Sequence, residues 1–446
     1  MENIISAHVS EILAANNIFH HSVQFPDQNT ISVKIHRDKI VRISRNCVSE
    51  HCIQNKHTHW IRHLTKHLKS ALSECREEWV VCLEEGCHLS DMDTSGVKVH
   101  HIYDQDVMNG FSCFATPQEM QTLQQRHGNT IQKAHPMKNA KVKVKANNSF
   151  QTLGPFLKRI GKLNGSQSPI SPNVHVFVID TGILASHPDL QVNQQLGKNF
   201  TSKDASAWND DHGHGTHVAG IIGARDNKIG IMGGAPSANV IPLKVLHRQG
   251  NGSYADIIAA VQYVATWKKK NPTTPAVVNM SLGGSPFQPL DDAIRALIDL
   301  GVPVVVAAGN ESTNAVNSSP ARMEKAITVG AYDLTTNRMA SFSNYGSGID
   351  IWAPGTNVDS TFLQNNYKTM SGTSMATPVV VSAIVNLLSQ PQYAQYTPQQ
   401  IKDSLLQFAK NPQNVDKTPA RNPLITLSTI AVQSKTSAYS VYIGNI

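Results

Sequence analysis

"VHVFVID", residues 174–180, is an apolar run that ends on a carboxylate, Asp180. A run of this length suits a strand buried on both faces better than one facing water. The pattern recurs in "VIPLKVL" (240–246), "AVVNMSL" (276–282), "VPVVVAAGN" (302–310) and "AITVGA" (326–331). Between these runs stand helix-length segments, "YADIIAAVQYVATWKK" (254–269) and "PLDDAIRALIDLG" (289–301). Apolar strands alternating with helices predict an α/β fold, a parallel sheet covered by helices on both faces. Sites in such sheets form beyond the carboxyl ends of the strands, which makes Asp180 a candidate. A turn-forming aspartate is the plain alternative.

The remainder of the chain sets bounds on this reading. At 446 residues it exceeds one ordinary core, so two or three folding units are expected. The net charge of +7 is spread along the chain, and the tight basic run Lys268-Lys269-Lys270 reads as a solvated helix end. A nucleic-acid partner is therefore not expected. No stretch approaches the roughly 18 apolar residues of a membrane span. The opening "MENIISAHVSEILAANNIFH" has its apolar stretch broken by His8, Ser10 and Glu11 and does not read as a secretory signal peptide.

All six cysteines, at 47, 52, 75, 82, 87 and 113, and fourteen of the twenty histidines precede residue 136. The chain thus divides by composition near residues 136 to 150, and no disulfide can staple the larger part. Residues 138–149, "KNAKVKVKANNS", read as an exposed linker open to cleavage.

Partners for Asp180 come from two further stretches. "DDHGHGTHVAGIIG" (210–223) places His214 and His217 around a Gly-Thr step before a helix-like run. Two histidines three apart also suit a metal, but no HExxH pattern supports one. "SGTSMATPVVV" (371–381) sets Ser374 at the start of a helix, with Pro378 expected in its first turn. A carboxylate, an imidazole and a hydroxyl in this chain order make a nucleophilic triad. Ser374 would attack a carbonyl carbon, His214 would move the proton, and Asp180 would fix the imidazole tautomer. The negative oxygen created needs donors, which the Asn310 amide and the Ser374 backbone N–H would supply. A structural serine cap explains Ser374 alone, but not the other segments.

"VIDTGI", "GHGTHVAG", "NMSLGG", "AAGN", "SFSNYG", "APGT" and "SGTSMATP" occur in the order seen in the subtilisin-like serine proteases, peptidase family S8. The resemblance covers roughly residues 152 to 410 and is closest to the proteinase K branch. It implies that Asp180, His214, Ser374 and Asn310 carry catalysis and that His217 is a structural neighbour. It also implies two substrate-binding edges, Gly250, Gly252, Ser253 and Tyr254 on one side and Ser281, Leu282, Gly283 and Gly284 on the other. Ordinary turn glycines are the alternative for these edges. A calcium site is implied with the Asp350 carboxylate and the carbonyls of Glu324 and Ala326 as ligands, while the chemistry needs no cofactor. One departure is Val379-Val380-Val381-Ser382, where relatives carry His-Val-Ala-Gly; Ser382 is expected to tighten packing.

"VKVHHIYDQDVMNGFSCFATPQEMQTLQQRHGNTIQKAHP" (97–136) resembles the inhibitor-I9-like propeptide of these enzymes. Within it, Thr116 followed by Glu119 predicts a helix N-terminus. The resemblance implies a zymogen with residues 76–137 as propeptide, 138–150 as processing region and 151–446 as catalytic domain. It further implies protein or peptide substrates, the propeptide as an intramolecular inhibitor, a monomer, and secretion. Residues 1–75 are an extension without an assigned role. There Cys47, Cys52, His57, His59, His63 and His67 could serve zinc, but their spacing matches no standard finger. A catalytically silent peptide-binding protein of the same fold is the rival reading.

Overall fold

The computed structural model describes residues 76–137, 139–142, 174–227, 229–336 and 338–408, together with the backbone of 22–27, 30–36 and 39–44. The Cys47–His67 segment lies outside the described residues. The chain clusters into two compact units, residues 1–100 with 111–136 and residues 101–110 with 137–446.

Near the amino terminus β1 (Ser22–Asp27), β2 (Thr30–His36) and β3 (Lys39–Ser44) form an antiparallel sheet. A second sheet comprises β4 (Glu77–Leu83), β5 (Lys98–Tyr103), β6 (Gly110–Ala115) and β7 (Ile131–Pro136), in the order β5-β6-β4-β7, with β4 and β7 antiparallel. Helix α1 (Pro117–Arg126) contributes Met120 and Leu123 to the core with Val81, Phe111 and Cys113. Its start is the expected capping box. Glu119 N donates to Thr116 Oγ1 at 3.1 Å and Thr116 N to Glu119 Oε2 at 2.8 Å. Burial pushes the Cys113 thiol up to about 12, so this cysteine is chemically quiet.

From residue 137 on, the larger unit contains β8 (Asn139–Val142), β9 (His175–Asp180), β10 (Lys198–Asn199), α2 (His214–Gly223), β11 (Asn239–Lys244) and β12 (Asn251–Ser253). Helix α3 (Tyr254–Lys270), β13 (Ala276–Met280), β14 (Leu282–Gly283), α4 (Gln288–Asp299) and β15 (Val304–Ala307) follow. The last elements are β16 (Ile327–Asp333), β17 (Arg338–Met339), β18 (Ile351–Pro354), β19 (Val358–Thr361), β20 (Tyr367–Met370), α5 (Thr373–Leu388) and α6 (Pro398–Phe408).

The apolar runs pair in parallel, β11 and β13 on either side of β9, β15 on β13, and β16 on β15 with β18 beyond. Only the short β17 pairs antiparallel on this sheet. The sheet is thus the expected α/β architecture, and β9 lies inside it because Val176 to Ile179 are fully buried. Basic Lys268 to Lys270 form the last turn of α3, as a helix C-terminus favours.

Val379, Val380 and Val381 are buried in α5, where each such side chain contributes about 1.5–3 kcal/mol by leaving water. Ser382 is buried as well, and its Oγ donates to the Val379 carbonyl at 2.7 Å, within the same helix. Among the described residues, no helix is long and apolar enough to cross a membrane.

The reading of 138–149 as an exposed linker is corrected at β8. This strand lies antiparallel between β12 and β14, with Gly252 opposite Ala140 and Leu282 opposite Val142, and Ala140 is buried. Its own residues, Asn139-Ala140-Lys141-Val142, alternate polar and apolar with the period of a strand, a signal that the linker reading passed over. Two glycine-bearing edges supply its pairing groups.

Candidate active site

Asp180 closes β9 and His214 opens α2, both fully buried. His214 Nδ1 lies 2.8 Å from Asp180 Oδ1 and 3.0 Å from Oδ2. A carboxylate only accepts, so Nδ1 carries the proton and Nε2 is the basic nitrogen. His214 Nε2 is buried with no hydrogen-bond partner. The geometry therefore presents an imidazole with its acceptor side ready for a proton.

This approach depends on a glycine. A Cβ on Gly215 would lie 2.1 Å from the Gly182 carbonyl and 3.2 Å from the Asp180 side chain, so only glycine lets helix and strand end meet here. Asp210 then holds the helix start. It accepts from the backbone N–H of His212, Gly213 and Thr216 and from the Thr216 hydroxyl, at 2.6–3.0 Å. Lys244, at the end of β11, donates to the Thr181 carbonyl, the Leu246 carbonyl and Asp211 Oδ1, at 2.7, 2.9 and 2.7 Å, and pins the loop behind Asp180. Neither residue was a sequence candidate. The "DDHGHGTH" spacing was the available signal for Asp210, and none pointed to Lys244.

His217 faces away from this chemistry, as the resemblance implied. It is fully buried, its Nε2–H donates to the Lys368 carbonyl at 2.8 Å, and burial pushes its pKa down to about 3. Burial also lowers His212, reinforced by the neighbouring His214.

Ser374 is the second residue of α5, where a helix offers its own N–H no partner. Its Oγ donates to the Ser281 carbonyl at 3.1 Å. Asn310 follows β15, and its Oδ1 accepts from both the N–H and the hydroxyl of Thr373, each at 2.9 Å. Those two donors fix the amide's orientation and leave Nδ2 as the donating end. Thr373 is thus the residue that aims Asn310. The helix begins at Thr373, which makes Pro378 an interior residue rather than a first-turn one.

The two edge segments are brought together on either side of β8, but not all of their residues act alike. Asn251, Gly252 and Ser253 pair with β8 on one side and Leu282 and Gly283 on the other. Asn251 was missed, and Gly250 lies just outside the strand. A Cβ on Gly252 would meet the Val245 carbonyl at 2.1 Å, so this edge needs glycine. Ser253 also caps α3 by accepting from Ala255 N at 3.0 Å. The side chain of Tyr254 is corrected from cleft to support. It is fully buried, stacks on Phe287 with centroids 5.0 Å apart, and donates to the Ser285 carbonyl at 2.9 Å. Gly284 pairs with Ser319, not with β8.

The expected calcium ligands do converge, but on an ammonium. Lys402 Nζ lies 2.8 Å from Asp350 Oδ1, 2.9 Å from the Glu324 carbonyl and 3.0 Å from the Ala326 carbonyl. The other Asp350 oxygen accepts from Thr328 N at 2.9 Å. Three donors meet three oxygens, and a calcium ion with six to eight oxygen ligands cannot share that space. The residues present therefore do not fit the metal, and the expectation is corrected to an ion pair that fastens α6 to the sheet. Replacing Lys402 by methionine is expected to lower unfolding stability by about 1–3 kcal/mol, measured by calorimetry in chelator. Coincident curves in chelator that separate only when calcium is added would overturn this assignment.

A mostly parallel sheet that delivers a carboxylate, an imidazole, a hydroxyl and an amide to its carboxyl ends is the arrangement of a subtilisin-like fold. Residues 171–422 match the family described as Peptidase S8, the subtilase family, and the chain belongs to it. The thermostable alkaline protease of Halalkalibacterium halodurans is 37% identical over 349 residues, covering 76% of this chain and 88% of that protein. Proteinase R of Parengyodontium album is 34% identical over 326 residues, covering 70% and 79%. Alkaline serine exoprotease A of Vibrio alginolyticus is 38% identical over 252 residues, 56% of this chain. The match spans only about half the length of some relatives, 45% of that exoprotease and 55% of the extracellular serine proteinase of a Thermus species. A crystal structure of a cold adapted subtilisin-like serine proteinase superposes with a TM-score of 0.50 at 37% identity, over 56% of this chain and 87% of that one.

Proposed function

We propose that the protein is a serine endopeptidase of the proteinase K type, made as a self-processing zymogen with an inhibitor-I9-like propeptide. The observation that carries this reading is the strand β8, an extended segment of the chain held between β12 and β14 and running toward Ser374. Main-chain pairing of this kind accepts many sequences, as an endopeptidase requires.

In the reaction, Ser374 Oγ leaves the Ser281 carbonyl, attacks the substrate carbonyl carbon and gives its proton to His214 Nε2. Asp180 keeps the imidazole in the Nδ1–H tautomer and stabilises the cation that forms. The carbonyl π-electrons move onto oxygen, where the Asn310 Nδ2 and the Ser374 N–H donate to it. Collapse breaks the C–N bond, the amine departs with the proton from His214, and a water deprotonated by the same nitrogen hydrolyses the acyl-enzyme.

The same register supports self-processing. Pairing ends with Val142 opposite Leu282, and Ser281, the next residue toward the nucleophile, touches Ser374. The peptide bonds within about two residues after Val142 are those expected to break first, from the span of about 3.3 Å per residue along a strand. Intact-mass analysis of the purified full chain, before and after a serine-directed fluorophosphonate, tests this. The expected result is one cut just after Val142 and one label on the larger fragment. A chain neither cut nor labelled would make the catalytically silent peptide-binding protein the better account, and a cut before Asn139 would remove β8 as the processed strand.

A further inference from the structure

The carbonyl of Ser374 is in an unusual position for a helix. In α5 it would normally accept from the backbone N–H of residue 378, four positions on. Residue 378 is proline, which has no N–H and whose ring crowds that same carbonyl. The site is fully buried, so water cannot make good the loss.

A side chain from the sheet fills the gap. Ser281 Oγ donates to the Ser374 carbonyl at 2.9 Å, and Asn279 Nδ2 donates to Ser281 Oγ at 3.0 Å. In return the Ser374 hydroxyl donates to the Ser281 carbonyl at 3.1 Å. The two serines are therefore joined by two hydrogen bonds in opposite directions. Asn279 lies within β13, one residue before its end, and is fully buried, so the chain of contacts starts from a rigid strand.

We propose that the Ser281 hydroxyl, backed by Asn279, replaces the helical N–H that Pro378 removes, and so positions the first turn of α5. The inference rests on Ser374 being the nucleophile. Ser281 is then a positioning residue with two separable parts. Its backbone belongs to the substrate edge, whereas its hydroxyl holds the Ser374 peptide unit and through it the attacking oxygen and the neighbouring N–H. Loss of the hydroxyl leaves the edge backbone in place, so it acts on kcat more than on KM.

The test compares wild type, Ser281→Ala, Pro378→Ala and the double variant by kcat and KM on a peptide amide. Ser281→Ala is expected to lower kcat about tenfold, the kinetic equivalent of one lost hydrogen bond, with KM within about twofold. In the Pro378→Ala background the new N–H at residue 378 can reach the Ser374 carbonyl, so the same substitution should cost markedly less. Ser281→Thr keeps the hydroxyl and should recover most of the lost kcat, while Asn279→Ala should shift kcat in the direction of Ser281→Ala. Equal losses in both proline backgrounds, or a rise in KM at unchanged kcat, would overturn the proposal. Fluorophosphonate labelling of wild type separates this from a failure of the underlying reading. A wild type that labels at Ser374, with kcat indifferent to Ser281→Ala, defeats the positioning role alone, whereas absence of labelling defeats the nucleophile itself.

Discussion

Alanine in place of Ser374 should lower peptide-amide hydrolysis by on the order of 10⁶-fold and leave the chain uncut after Val142. The size follows from what is lost. Without Oγ there is no bond for the carbonyl carbon to form and no acyl-enzyme, and His214 Nε2 has no proton to receive. What survives is positioning by β12 and β14 with the donors at Asn310 and Ser374 N–H, a residue of roughly 10³–10⁴ over water. The structural cost is small by comparison. The hydrogen bond from Oγ to the Ser281 carbonyl is worth about 1 kcal/mol. Calorimetry on the variant should therefore show a folded protein while a chromogenic peptide amide shows none of the wild-type rate. His214→Ala should fall as far, and the pair no further, because the two residues act as a unit. More than about one hundredth of wild-type activity in Ser374→Ala would point to another nucleophile.

What the sequence disclosed and what it withheld divide along a physical line. The sheet was legible because strands buried on both faces must be apolar along their whole length, and Val176 to Ile179 are. The ends of those strands then directed attention to Asp180 and Asn310, and a helix start to Ser374. Contacts through backbone atoms left no such mark. Thr373 aims Asn310 and Ser281 holds the Ser374 carbonyl, yet Thr373 was no candidate and Ser281 was read only as part of a substrate edge. β8 is a different case, since Asn139 to Val142 do alternate polar and apolar, but four residues are too short for that alternation to outweigh a basic, polar surrounding, and the two edges that pair with it lie more than 100 residues away. Lys402 adds sequence distance. It reaches carbonyls at Glu324 and Ala326 from α6, and no local pattern in "TPQQIKDSLL" indicates an ammonium where the resemblance implied a metal.

Removing the amide of Asn310 isolates the remaining source of rate. Asn310→Ala is expected to lower kcat by about 10²–10³-fold, or 2.7–4 kcal/mol, with KM little changed, a magnitude carried over from subtilisins as a class. The reasoning is differential. The oxygen that Nδ2 would serve is a carbonyl in the substrate and an oxyanion in the intermediate, so the hydrogen bond strengthens only as charge develops. The amide is already oriented, because Thr373 N–H and Oγ1 both occupy its Oδ1 at 2.9 Å. That anchor separates two contributions. Thr373→Val keeps the N–H contact and removes the hydroxyl one, so the Asn310 amide stays present but less firmly held. A loss in kcat between wild type and Asn310→Ala is the expected result, and the double variant should be no worse than Asn310→Ala alone. If instead the two losses multiply, Thr373 acts on Ser374 by a route that does not pass through Asn310. If Asn310→Ala raises KM at unchanged kcat, the amide binds ground-state substrate and the oxyanion depends on the helix N-terminus alone.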